Sequence, residues 1–308
     1  MEEFPTAMWN YRHGRDIAMN KIHRRDFVLG GLAAGWMLPA RAAEADARLR
    51  ALETGLGGRV GLMALDTASG RRLSWRDGER FAMCSSFKWL LAASVLSKVE
   101  QGTLSPKQVI PYSKADLQGL GLAPTTKAHL KDGALPIETL CAAAVEESDN
   151  GAANLLLKQV GGPEGLTRYL RGIGDDTTRL DRNEPTLNEN RPGDPRDTTT
   201  PAAMVKTLRH VLTGDALKPR SREILLGWLR KSETGIKRLR AGLPPDWREG
   251  DKTGTGERGA TVDNAIIWPP GRSPILAAAY LSGSTKPVED REAAMAEMGR
   301  MIAETFAV

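Results

Sequence analysis

Runs and alternations of apolar residues place strands at both ends of the chain and helices between them. Arg59–Asp66 reads as a strand, Thr67-Ala68-Ser69-Gly70 as a turn, and Arg72–Trp75 as the start of a return strand. A short helix over 45–53 precedes this pair. Over 86–101 the apolar positions Trp89, Leu90, Leu91, Ala93, Val95 and Leu96 are too continuous for a one-sided stripe, which predicts a helix buried nearly all round. Further helices are predicted over 136–147, 151–160, 163–171, 201–213 and 221–230. Strand patterns return over 248–254, 260–268 and 275–282. A helix over 289–306 closes the chain, with Ala293, Met295, Met298, Met301, Ile302 and Phe306 as its apolar positions. Strands, many helices, strands, helix: this order predicts an α+β fold. An antiparallel sheet of five strands from both chain ends packs beside an all-helical lobe, and the cleft between them is the natural place for a site. Residues 181–200 are polar, Pro-rich and non-periodic. A structureless loop of that length inside a compact domain points to function.

The N-terminus departs from this pattern. Arg24-Arg25 stands just ahead of an apolar, Gly- and Ala-rich stretch over 27–38, and Ala40-Arg41-Ala42 offers small residues for cleavage. Together they read as a twin-arginine export signal over 1–42, implying a periplasmic enzyme whose mature domain spans 43–308. Met19 lies at a more usual distance from the arginines than Met1, so 1–18 reads as an over-long start. The apolar run is shorter than the ~20 residues that cross a bilayer. Gly30, Gly31, Gly35 and Pro39 argue against reading it as a first helix of the domain.

The 308 residues suffice for one large domain or two closely packed ones, here an α/β lobe over 43–80 and 233–308 and a helical lobe over 81–232. The formal net charge is +5, but Lys, Arg, Asp and Glu are interspersed, so no nucleic-acid stripe is expected. Cys84 and Cys141 cannot make a disulfide framework. With only four scattered histidines no Cys/His spacing suggests zinc, and no metal or cofactor is expected.

Three short motifs carry candidate chemistry. Ser85-Ser86-Phe87-Lys88 is the only Ser-x-x-Lys in the chain and opens the buried helix. One helical turn sets Lys88 beside Ser85, and a serine hydroxyl attacks only when a neighbouring base takes its proton. Ser148-Asp149-Asn150 lies between two helices. It reads either as a helix stop and cap, or as a second hydroxyl to relay a proton plus an amide to hold a lysine and a carbonyl. Lys252-Thr253-Gly254 sits on a strand and offers a cation and a hydroxyl to a carboxylate, with glycine admitting a close ligand. Gly254 also begins a Gly-x-Gly-x-x-Gly match ending at Gly259. A dinucleotide site is set aside because strand residues, not a helix, follow it.

Each motif is ordinary alone. In this order and on these elements, together with Arg182-Asn183-Glu184-Pro185-Thr186-Leu187-Asn188 and the segment to Asp197, the chain resembles the class A serine β-lactamases over nearly its whole mature length. The resemblance implies the αβ/α sandwich of that family and opening of the β-lactam ring of penicillins and cephalosporins through an acyl-enzyme. The implied partners are small β-lactams, with no cofactor, no stable membrane association and a monomeric state. It assigns Ser85 as nucleophile, Lys88 and Glu184 as alternative bases for acylation, and Glu184 with Asn188 as holder of the hydrolytic water. Ser148 shuttles a proton to the ring nitrogen, and Asn150 binds the substrate's amide. Lys252 and Thr253 bind its carboxylate. Backbone N–H groups of Ser85 and Thr255 form the oxyanion hole. Arg182 and Asp197 staple the ends of the omega loop.

Some positions depart from the pattern. Thr261 stands where many members carry a carboxylate-binding arginine, and Arg238 is expected to supply that charge. Leu122 occupies the place of a rim aromatic. Gly256 and Ala92 stand where relatives place partners for cysteines like Cys84 and Cys141, so two free, buried thiols are expected. A penicillin-binding D,D-peptidase shares the serine, lysine and asparagine but lacks the Glu184 loop. A β-lactam sensor would need an anchor and no deacylating base.

Overall fold

In the computed structural model, which describes residues 29–307, the chain opens with helix α1 (Leu29–Leu56). The short helix expected over 45–53 is thus the end of a longer one, and the glycines and Pro39 do not stop it. Alanine and leucine, the strongest helix formers, fill most of the remaining positions and outweigh them. Arg24 and Arg25, on which the export reading rests, lie outside the described residues. Contacts divide the chain into two units, Met1–Glu44 and Ala45–Val308, and the second holds every strand among the described residues.

Strands β1 (Arg59–Asp66) and β2 (Arg72–Trp75) form the expected hairpin. After β3 (Phe81–Ala82), a 3-10 turn over Cys84–Ser86 runs directly into α2 (Phe87–Glu100). The helical lobe continues through β4 (Val109–Pro111), α3 (Pro124–Ala128), β5 (Ala134–Pro136), α4 (Ile137–Glu146), α5 (Asn150–Val160) and α6 (Gly162–Gly172). The 181–200 loop ends in β6 (Thr198–Thr199), and α7 (Pro201–Leu208) and α8 (Pro219–Arg230) follow it. Three long strands come next, β7 (Arg248–Thr255), β8 (Thr261–Trp268) and β9 (Ile275–Ser282), and α9 (Val288–Phe306) ends the fold.

The five long strands make one antiparallel sheet in the order β2-β1-β9-β8-β7, so both chain ends contribute to it. The lobe beside it is not all helix as expected. It carries two short ladders, β3 with β6 and β4 with β5. The helix expected over 201–213 is α-helical only to Leu208 and widens into a π turn over Arg209–Thr213.

The period-2 alternation of β9 divides the core. Leu276, Ala278 and Tyr280 face the helical lobe, while Ala277, Ala279 and Leu281 face α9 and the end of α1. Trp89, Leu90, Leu91 and Ala92 are fully buried, so α2 is the apolar axis of its lobe, as its pattern predicts. This placement fixes the start of α2 against the edge strand β7.

Candidate active site

The turn that opens α2 and the end of β7 touch because Gly254 has no side chain. A Cβ there would lie 2.5 Å from Met83 O and 3.0 Å from Cys84 Cβ. The missing side chain of this glycine thus lets the strand pack on the turn just before Ser85. Cys84 itself has φ 47° and Ser148 φ 61°, left-handed values that non-glycine residues hold only where the surroundings impose them. Cys84 adjoins the centre of the site and Ser148 belongs to it.

That centre is a set of short contacts among Ser85, Lys88, Ser148, Asn150 and Glu184. Lys88 Nζ lies within hydrogen-bond distance of Ser85 Oγ (2.9 Å), Ser148 O (2.8 Å), Ser148 Oγ (3.3 Å) and Asn150 Oδ1 (2.5 Å), which share its three donors. It also lies 3.1 Å from Glu184 Oε1, and both side chains are completely buried. Ser85 Oγ donates to the same Oε1 at 2.8 Å. The hydroxyl thus has an amine on one side and a carboxylate on the other at nearly equal distance. Burial pulls the Lys88 pKa below the usual lysine range, against the opposing pull of Glu184.

Glu184 reaches this point through the 181–200 loop. Its backbone is held by Asn154, which accepts from Glu184 N at 3.0 Å and donates to Glu184 O at 2.9 Å. The Glu184–Pro185 peptide is cis. Asn188 Nδ2 donates to Glu184 Oε2 at 2.6 Å, and Asn188 Oδ1 is buried with no hydrogen-bond partner among the described residues. Sequence reading missed Asn154. Its spacing of four from Asn150 on α5, which sets both on one helix face, is the signal that could have found it.

The loop's ends are joined as expected. Arg182 Nε meets Asp197 Oδ2 at 2.6 Å, and Asp197 Oδ1 accepts from the N–H groups of Asp181 (2.7 Å) and Arg182 (2.9 Å). Asp197 is fully buried, so its removal leaves Arg182 and two backbone donors short of an acceptor. Losing one partner of a buried pair costs about 3–5 kcal/mol. Asp197→Ala should therefore speed amide exchange across 181–200 while α2 stays protected. Unchanged exchange in the loop would show that Asp197 does not hold it.

On the sheet side, Lys252 is fully buried and donates to Thr253 O at 3.0 Å. Burial, and next the charge of Lys88, push its pKa down to about 7. Thr253 Oγ1 lies 2.5 Å from Thr234 Oγ1, a partner that no sequence signal marked. Thr255 is exposed, and its Oγ1 accepts from Arg238 Nη2 at 2.6 Å.

Arg238 lies beneath the sheet side of the site. It is only 4% exposed, and Nη1 is spent on Gly254 O (2.8 Å) and Val262 O (2.6 Å). It underlies the end of β7 and meets the cleft at Thr255. Burial lowers its pKa, with Asp263 and then Glu292 opposing. Thr261 is buried and accepts from Arg291 Nη1 of α9 at 2.9 Å, a second arginine that sequence reading did not mark.

Both ends of the Asn150 amide are engaged, Oδ1 by Lys88 and Nδ2 on Leu120 O at 2.6 Å, which leaves one Nδ2 hydrogen for another acceptor. Leu122 is 53% exposed. Cys84 and Cys141 are free and buried, and burial pushes the Cys84 thiol up to about 12.

A family model described as the Beta-lactamase enzyme family matches residues 44–306. Among curated relatives, beta-lactamase L2 of Stenotrophomonas maltophilia is 46% identical over 270 residues, 85% of this chain and 88% of that protein. The carbapenem-hydrolyzing beta-lactamase KPC of Klebsiella oxytoca is 42% identical over 293 residues, 93% of this chain and 98% of that protein. Among solved structures, an ancestral Gram-negative beta-lactamase of class A aligns with TM-score 0.82 and 55% identity, covering 85% of this chain and all of that one. A beta lactamase from Xanthomonas campestris aligns with TM-score 0.83 and 48% identity over 86% of this chain and 98% of the other.

Proposed function

The chain belongs to the class A β-lactamases, and from that premise we propose that it hydrolyses penicillins and cephalosporins by acylation of Ser85 and Glu184-assisted deacylation. One observation carries the reading: Ser85 Oγ lies within 3 Å of both Lys88 Nζ and Glu184 Oε1.

The residues divide the reaction between them. Ser85 Oγ attacks the ring carbonyl carbon and gives its proton to one of those two bases. If Glu184 takes it, the proton passes on to Lys88, 3.1 Å away, replacing the one Lys88 gives to Ser148, so that Glu184 is a carboxylate again before deacylation. The carbonyl oxygen becomes an oxyanion between the N–H groups of Ser85 and Thr255, where the first turn of a helix leaves donors unpaired. As the ring C–N bond breaks, Ser148 Oγ passes a proton to the nitrogen and takes one from Lys88. The ester then needs a water. The orphaned Asn188 Oδ1 and Glu184 Oε2, both on the loop side of Ser85, are suited to hold one. Glu184 takes its proton, the hydroxide attacks the ester carbon, and Ser85 leaves with a proton returned to it. Arg182 and Asp197 hold the loop that carries these groups, the omega loop of this reading. Asn150 takes the substrate's side-chain amide, and Lys252 with Thr253 takes its carboxylate.

Hydrolysis of a chromogenic cephalosporin, followed by absorbance, tests the assignment. It should proceed catalytically with the unaltered enzyme and stop in Ser85→Gly. Equal rates in both would remove Ser85 from the reaction.

The depressed Lys252 pKa adds a pH signature. Below about 7 the amine is charged and attracts the substrate carboxylate, and above it the charge is lost. KM for penicillin should rise through an apparent pKa near 7, or somewhat above once the bound carboxylate favours the charged form. In Lys252→Arg, whose guanidinium keeps its charge, that rise should vanish. A rise surviving in Lys252→Arg would assign it to another group. For folding the sign is opposite. Between about 7 and the ordinary lysine value of about 10.4, the unfolded chain holds a proton that the folded chain has released, so this group makes stability rise with pH.

The N-terminal reading is export to the periplasm. Among the described residues no helix is long and apolar enough to cross a membrane. Replacing Arg24 and Arg25 with lysine should leave active enzyme in the cytoplasm, and unchanged periplasmic activity would refute the signal.

A further inference from the structure

The 181–200 loop has a second side. A cavity of about 430 Å³ lies between it and the body of the fold, and none of Ser85, Lys88, Ser148, Asn150 and Glu184 lines it. Arg59 and Arg80 line it from the body, and Arg182, Arg191 and Arg196 from the loop. Four of these arginines are paired with carboxylates. Arg59 pairs with Glu79 at 2.5 Å and Arg196 with Asp194 at 2.7 Å. Arg182 meets Asp197 and Glu189, both at 2.6 Å, and Arg191 meets that same Glu189 at 3.0 Å. Two of the carboxylates are therefore shared, since Glu79 also serves Arg76 at 2.8 Å.

Arg80 is left over. Among the described residues it makes no ion pair. Its Nη1 donates at 3.0 Å to the neutral acceptors Thr177 O and Thr198 Oγ1, which aim the guanidinium without neutralising it. A guanidinium has five N–H donors, and these two bonds use one nitrogen. The planar fork matches phosphate and carboxylate groups. The volume falls within the ~300–1,000 Å³ of small-molecule sites and exceeds what a halide needs.

We propose that this cavity binds a small oxyanion of two or more negative charges, of the phosphate or polycarboxylate class, between Arg80 of the body and Arg191 of the loop. The bound anion spans the body and the segment over 190–196, and so ties down the loop that carries Glu184. The inference rests on the cavity's own charges and holds whatever the substrate of the Ser85 site.

Titration with pyrophosphate and, separately, citrate tests it, at constant ionic strength held with sodium chloride. Binding is read by calorimetry and by the rise in Tm of the unaltered enzyme, Arg80→Ala and Arg191→Ala. At least one anion should bind with saturation at one site per chain, and the arm that saturates identifies the ligand class. Binding should weaken at least tenfold in Arg80→Ala. Arg191 is exposed and its removal leaves Glu189 paired with Arg182, so Arg191→Ala keeps the test open should Arg80→Ala fail to fold. It too should bind more weakly, with unchanged hydrolysis of a chromogenic cephalosporin. The anion should leave KM for that substrate unaltered. No saturation beyond the effect of chloride, undiminished binding in both variants, or competition with substrate would each overturn the site.

Discussion

Glu184→Ala should convert the enzyme into one that reacts with penicillin once and then stalls. Acylation opens a strained ring, whereas deacylation attacks an unstrained ester and needs a water deprotonated on the correct face. Glu184 Oε2 with Asn188 is the carboxylate–amide pair on that side of Ser85. A positioned base contributes typically ~10²–10⁴ to rate, so the deacylation rate should fall by about that factor. The fold should survive. Asn154 holds the main chain of residue 184 rather than its carboxylate, and Lys88 keeps its bonds to Ser85, Ser148 and Asn150. Intact-mass measurement should find the drug's mass added and retained. Turnover at the original rate would mean that Glu184 does not activate the water.

The second large effect should come from Lys88→Met, which keeps the length of the side chain and removes the amine. The amine joins Ser85, both oxygens of Ser148, Asn150 and Glu184, so its loss uncouples every proton step around the nucleophile. It also leaves Glu184 buried without its cation, which lowers Tm. The acylation rate in a stopped-flow burst should fall by about 10²–10⁴. Comparison with Glu184→Ala then separates the two candidate bases. Fast acylation in Glu184→Ala with slow acylation in Lys88→Met assigns the serine's proton to Lys88, and slow acylation in both requires the pair. Unaltered acylation in Lys88→Met would leave the amine a purely structural role.

How much of the fold and site is legible in the sequence depends on the range of the interactions involved. The spans of β1 and β9, and the start of β2, are readable to the residue because each alternates or runs apolar beside clear turn residues. The ladders of β3 with β6 and β4 with β5 have two or three residues per strand, too few for any period to show. Pro111 and Pro136 speak against a strand locally, and only their position at a ladder edge admits them. The π turn after α7 is invisible because its residues keep a helical pattern.

At the site, residues inside short motifs are readable and their supports are not. Asn154, Thr234 and Arg291 act across 30, 19 and 30 positions of sequence. The same limit hides the setting of Arg238: nothing near it in sequence reveals that β7 and β8 enclose its guanidinium.

The central claim is that this chain turns over β-lactams rather than merely reacting with them. Intact-mass spectrometry of the unaltered enzyme with a hundredfold excess of benzylpenicillin tests it most directly. The account predicts that all the drug is hydrolysed and that the protein returns to its unmodified mass. One equivalent consumed, with a persistent adduct at Ser85, would contradict it and mark the chain as a sensor or a peptidase-like relative.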